Sequence, residues 1–206
     1  MKQLFLSSSF ADVENLFVSF SEGKHKGQTI TFIPTASLRE EVNFYVAEGK
    51  KSLENAGFVV DELEISTATE DDISRKLRGN DAIYISGGNT FFLLQELTRT
   101  GADKLIKSHI SAGKLYIGES AGSIILSPNI EYVKDMDDLK AASNLQSFSA
   151  LSAVDFYPLP HHTNFPFEEA VEKSLPITQK KSISVLLVIH RQSQLSATSL
   201  KSWENS

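Results

Sequence analysis

The stretch Leu115-Tyr116-Ile117-Gly118-Glu119-Ser120-Ala121-Gly122-Ser123-Ile124-Ile125-Leu126 decides how this sequence folds. Its first three residues continue a short apolar run suited to a buried strand, and Ser-Ile-Ile-Leu at its end opens a helix. Between them stands Gly-x-Ser-x-Gly. Glycines in that pattern allow a sharp strand-to-helix corner, where side chains flanking the serine would collide and the serine itself is presented as a nucleophile. A plain turn carries such glycines by chance. The strand before and the helix after supply the context that a nucleophile needs.

Working outward, residues 2–6, 29–33, 58–65, 81–85 and 114–117 read as strands, each short, apolar and bounded by polar residues or Gly and Pro. Helical spacing falls between them. Ser37-Leu38-Arg39-Glu40 has the form of a capping box, followed by Leu38, Val42, Tyr45, Val46 and Leu53 at helical intervals, with Gly57 as the stop. Residues 71–77, 90–97 and 102–111 are further helices. The β-α-β-α order predicts an α/β fold, a mostly parallel sheet with helices on both faces. Ligands of such sheets bind beyond the carboxyl ends of the strands. The Gly118–Gly122 corner and a second glycine turn, Ser86-Gly87-Gly88-Asn89, both fall there.

After Pro128 the pattern loosens. Residues 129–150 form a polar connection, and 153–159 read as a strand leading into Pro160-His161-His162-Thr163-Asn164. A helix over 166–173 and an apolar run over 183–189 follow. No glycine occurs after Gly122, and from Ser174 onward Ser, Gln and Lys dominate, so the tail beyond about residue 173 is atypical. The 206 residues fit a single domain over 1–206.

Composition excludes several functions. The chain has no cysteine, which removes disulfides, thiolate metal sites and cysteine nucleophiles. A net charge of −6 leaves no basic footprint for nucleic acid or an anionic membrane. The apolar start, Met1 to Leu6, is too short for a signal sequence, and a cytoplasmic protein is expected. No metal-ligand spacing and no phosphate loop ending in Lys is present, so no cofactor or metal is expected.

A serine nucleophile needs a base. His25 lies in a lysine-rich loop, His109 on a helix read as surface, and His190 in the atypical tail. His161 and His162 follow a strand-like segment downstream of Ser120. His161 is the preferred base, with His162 as the alternative. Asp135, Asp137 and Asp138 lie between nucleophile and histidine, in the chain order Ser, Asp, His that builds one kind of triad. The Ala121 amide and, without a Cβ to obstruct it, the Gly88 amide are candidate oxyanion donors. Asn89, Glu119 and His162 flank these groups as expected substrate contacts.

With Ser86–Asn89, Gly118–Ser123, Asp135-Met136 and Pro160–Asn164 in place, the sequence resembles the dipeptidase E (alpha-aspartyl dipeptidase) family of serine peptidases over roughly residues 1–164. The resemblance implies a flavodoxin-like α/β fold related to class I glutamine amidotransferases. It also implies Ser120 as nucleophile, His161 as base, Asp135 as third member, and Gly88 and Ala121 as oxyanion amides. A short peptide is the implied substrate; monomer and homodimer are both compatible. Three departures matter, one being that an acid also proposed near the family's C-terminus has no clear counterpart, since the tail holds only Glu204. Glu119 stands where the family has Trp or Thr, and could either repel an acidic substrate or turn away to cap the helix. Phe165-Pro166-Phe167-Glu168-Glu169 lacks the Arg that the family uses for the substrate aspartate, so strict alpha-aspartyl specificity is not expected. A noncatalytic ligand-binding relative, or an esterase or amidase on the same scaffold, is the alternative.

Overall fold

A computed structural model describes residues 2–161; the expected helix over 166–173, the run over 183–189, His162 and His190 lie outside the described residues. Among the described residues five strands, β1 (Gln3–Ser7), β2 (Thr29–Ile33), β3 (Val59–Glu62), β4 (Ala82–Ile85) and β5 (Leu115–Glu119), form one sheet in the order β1-β5-β4-β2-β3. Every pairing is parallel. The α/β architecture expected from the sequence is the one observed.

Successive residues of a strand point to opposite faces, so a strand buried on both faces must be apolar throughout. β4 shows it: Ala82 and Tyr84 join one apolar cluster, Ile83 and Ile85 the other. On the first face pack α1 (Glu14–Ser21) and α2 (Phe44–Asn55), through Phe17 and Leu53. On the second pack α3 (Glu70–Gly79), α4 (Thr90–Thr100), α5 (Ala102–Ser111) and the short α6 (Ala121–Ile124). α3 starts on Thr69, whose hydroxyl accepts the Asp72 amide, with acidic residues at its positive end.

Several expectations need correction. The Ser37 capping box does not open a helix. The Ser37 hydroxyl donates to the Pro34 carbonyl at 2.8 Å, closing a 3-10 turn over Thr35–Arg39, and α2 begins only at Phe44. Leu38 and Val42 are accordingly exposed. Residues 153–159 are not a strand. At its start the amides of Ala153 and Val154 both donate to the Leu126 carbonyl, just past α6, instead of joining the ladder. His109 is buried, not at the surface, with Nε2 3.0 Å from the Leu115 carbonyl. α1 was not legible: Leu16, Val18 and Phe20 are exposed while Phe17 is buried, so apolar residues on all sides erase the helical period.

The sheet order places a switch between β2 and β4, where the chain first runs outward to β3 and then returns to the other side of β2. Beyond the carboxyl ends of β2 and β4, the Asn89 amide donates to the Ala36 carbonyl at 2.9 Å. Gly88, at φ 128°, presses so closely on Ala36 and Ser37 that a side-chain carbon there would sit 2.5 Å from the Ser37 nitrogen. No side chain fits, and the backbone conformation favours glycine as well.

Candidate active site

The corner after β5 is built by close backbone approach. A side-chain carbon on Gly118 would lie 2.5 Å from the Gly122 carbonyl oxygen, and one on Gly122 would overlap the Ile85 carbonyl of β4. Both glycines of the motif are therefore required by packing. Ser120 between them adopts φ 47°, ψ −108°, a conformation that costs an L-residue of order 1–3 kcal/mol. Its amide donates to the Ser7 carbonyl at 2.9 Å. The Ser123 hydroxyl braces the corner from below, 2.8 Å from the Gly118 carbonyl and 3.0 Å from that of Ser7.

His161 reaches the same point from the other end of the chain. Its amide donates to the Ser8 hydroxyl at 3.1 Å, and its backbone takes φ 61°. Nε2 stands 2.9 Å from Ser120 Oγ, across 41 residues of sequence. Burial pushes the imidazole down to about 4, so it is neutral near pH 7 and able to accept a proton. The end of β1 thus holds both partners, Ser120 through Ser7 and His161 through Ser8. The Ser7-Ser8-Ser9 run was visible in the sequence. Its role was not, because it depends on β1 lying beside β5.

The other expected residues are placed as follows. Ala121 is fully buried at the start of α6. The Gly87–Gly88 turn abuts the serine: a side-chain carbon on Gly87 would lie 3.2 Å from Ser120 Cβ. Asn89 caps α4, its Oδ1 accepting the Phe92 amide at 2.9 Å and its Nδ2 donating to the Asp138 carbonyl at 2.9 Å. Both ends of that side chain are engaged with protein. Glu119 is 3% exposed and turns into the interior, where Oε2 accepts the Phe10 amide and the Tyr84 hydroxyl, each at 2.8 Å. It turns away from substrate, as one of two expectations held, but its partners are not those of a helix cap. Desolvation raises its pKa, against the pull of these donors.

Asp135 is exposed. The carboxylate of this stretch that turns inward is Asp137, whose Oδ2 accepts the Thr90 amide at 2.8 Å and whose pKa burial pushes up to about 6. Tyr45 also packs at Gly87, its ring 3.5 Å from where a side-chain carbon there would stand. Among the described residues no group of His, Asp and Glu is arranged to hold a metal ion, and no helix is long and apolar enough to cross a membrane. A groove of about 970 Å³ along α4, flanked by Arg39 and Phe92, contains neither Ser120 nor His161. The Ser-His pair, not the groove, marks the candidate site.

Comparison with known proteins identifies the family. The model of Peptidase family S51 matches residues 4–196. An uncharacterised peptidase of Listeria monocytogenes is 60% identical over 173 residues, covering 84% of each chain. A peptidase E of Shewanella amazonensis is 34% identical over 135 residues, 65% of this chain and 54% of that one. In three dimensions the chain matches a crystal structure of a candidate peptidase E protein from Listeria monocytogenes EGD-e. That match has a TM-score of 0.83 at 59% identity and covers 86% of this chain and 87% of that one. A peptidase from an acI-B1 actinobacterium shares the fold, with a TM-score of 0.62 at 23% identity over 85% of this chain and 75% of that one. A family match across nearly the whole chain, with a strand-to-helix serine at its centre, makes this protein a member of peptidase family S51.

Proposed function

We propose that the protein is a serine-type peptidase that hydrolyses short peptides, with Ser120 as nucleophile and His161 as base. The observation that carries the reading is the 2.9 Å separation of Ser120 Oγ and His161 Nε2, on a serine held at φ 47°. In the acylation step Oγ attacks the scissile carbonyl carbon while Nε2 takes the hydroxyl proton. The tetrahedral oxyanion is held by the Gly88 and Ala121 amides, each worth about 100- to 1000-fold in rate. The imidazolium then gives its proton to the departing amine, leaving an acyl-enzyme. Water enters, loses a proton to Nε2 as it attacks the ester, and Ser120 leaves with that proton restored.

Asp135 is the acid that the sequence resemblance assigns to orient His161. The absence of Arg from residues 165–169 supports a substrate range wider than alpha-aspartyl peptides. The test is covalent labelling by a fluorophosphonate at neutral pH. Wild-type protein is expected to be modified at Ser120 and Ser120→Ala to remain unmodified. Folded wild-type protein that takes no label overturns the reading.

A further inference from the structure

Glu119 is a buried acid one residue before the nucleophile, and the Ser120–His161 pair makes no use of it. Three segments converge on its carboxylate. The Phe10 amide comes from the loop after β1 and the Tyr84 hydroxyl from β4, both to Oε2 at 2.8 Å. The Gly87 backbone, in the turn after β4, lies against Oε1 of the carboxylate and favours its charged form. A side-chain carbon built on Gly87 would lie 3.5 Å from Glu119 Oε1 and 3.2 Å from Ser120 Cβ, so this turn is held between the carboxylate and the nucleophile. Helix α2 closes the cluster. A methyl group on Gly49 would come within 2.5 Å of Tyr84 Oη and 3.6 Å of Glu119 Oε2, so the helix crosses there on a glycine.

Such a cluster is a costly way to fill space. Burying a carboxylate is unfavourable unless donors offset it, and an apolar side chain of similar volume would often be as stable. What an apolar residue cannot do is fix the orientation of the amides around it. We infer that Glu119 is a positioning residue: its carboxylate fixes the Gly87–Gly88 backbone against Ser120, so that the Gly88 amide is already aimed at the oxyanion. This rests on the serine-peptidase reading. Glu119 acts through the turn and touches no reacting atom.

Glu119→Gln is the informative change because it keeps the shape and reverses one end of the side chain. Its oxygen can serve Phe10 and Tyr84, but its NH2 group then replaces the oxygen that lies against Gly87, a donor in the place of an acceptor. The turn loses its anchor while the Ser120–His161 pair remains intact. Tyr84→Phe is the milder companion, keeping Glu119 and removing one of its donors.

The experiment measures fluorophosphonate labelling of Ser120 as a limiting rate and an apparent affinity, with thermal unfolding to show that each variant is folded. Glu119→Gln is expected to lower the limiting rate about tenfold or more at unchanged affinity, part of the loss of an oxyanion donor. Tyr84→Phe is expected to lower it about threefold, as one weakened anchor. A merely structural role would lower unfolding temperature and leave the limiting rate of the folded protein alone. Variants that are folded and label at the wild-type limiting rate overturn the inference while leaving Ser120 as nucleophile. If Glu119→Gln does not fold, Tyr84→Phe decides in the same way. Wild-type protein that takes no label overturns both.

Discussion

The carbonyl oxygen of Ser7 accepts the amide of Ser120 at 2.9 Å, tying the end of β1 to the corner after β5. The next hydroxyl along, Ser8 Oγ, accepts the amide of His161 at 3.1 Å. One strand end therefore sets the position of both partners in the candidate site. Strand pairing β1–β5, which buries Phe5 and Leu6, is what places them. Packing of the core and geometry of the site are the same event.

The first prediction concerns pH. Burial holds His161 near 4, so its neutral, proton-accepting form is complete by about pH 5. The rate of fluorophosphonate labelling is expected to rise with pH through about 4 and to be level from pH 5.5 to 8. A midpoint at 6 or above would show an imidazole that is not desolvated. The same shift affects stability. The folded pKa lies below the ordinary 6.5, so the contribution of His161 is complete above 6.5 and is lost as pH falls through 4. Asp137 runs the other way: its folded value of about 6 exceeds 3.8, so its contribution is complete below 3.8 and lost as pH rises through 6.

Backbone strain at Ser120 gives a second. Glycine reaches φ 47°, ψ −108° without the penalty paid by a side chain. Ser120→Gly and Ser120→Ala both remove the hydroxyl, and their difference isolates the strain. After glycine's larger unfolded-state entropy, the Gly variant is expected to be more stable by about 1 kcal/mol in denaturant unfolding. Equal stability of the two would mean that no strain is stored at the corner.

Packing at Gly122 gives a third. An alanine methyl there overlaps the Ile85 carbonyl, which belongs to a central strand and cannot swing aside. Gly122→Ala is expected to cost about 2–3 kcal/mol in unfolding free energy, and to slow labelling because the corner is pushed off β4. A neutral effect on both measurements would contradict the close approach.

The acid of the triad gives the last. In a triad whose carboxylate is buried against the histidine, its loss costs about 10⁴ in kcat. Asp135 is exposed, where water screens it, so Asp135→Asn is expected to slow labelling no more than about tenfold. A loss of 1000-fold or more would make Asp135 an orienting acid of full strength.

The alternation of strands and helices, the two glycine turns at strand ends, and Ser120 as the residue at the corner were all legible in the order of residues. These are local matters: apolar runs of strand length, and glycines where a side chain would collide within a few residues. Elimination of the other histidines and a place downstream of Ser120 pointed to His161, and the fold brings that residue to hydrogen-bond distance. Tertiary structure alone decided the roles of Ser7, Ser8, Tyr84 and Gly49, whose partners are distant in the chain. It also decided the fate of Glu119. A carboxylate beside a nucleophile can face substrate or protein, and the choice rests on whether donors wait inside. Here Phe10 and Tyr84, brought in by a separate loop and a neighbouring strand, supply them. No spacing around residue 119 records that arrangement, because it exists only once β1, β4 and β5 are side by side.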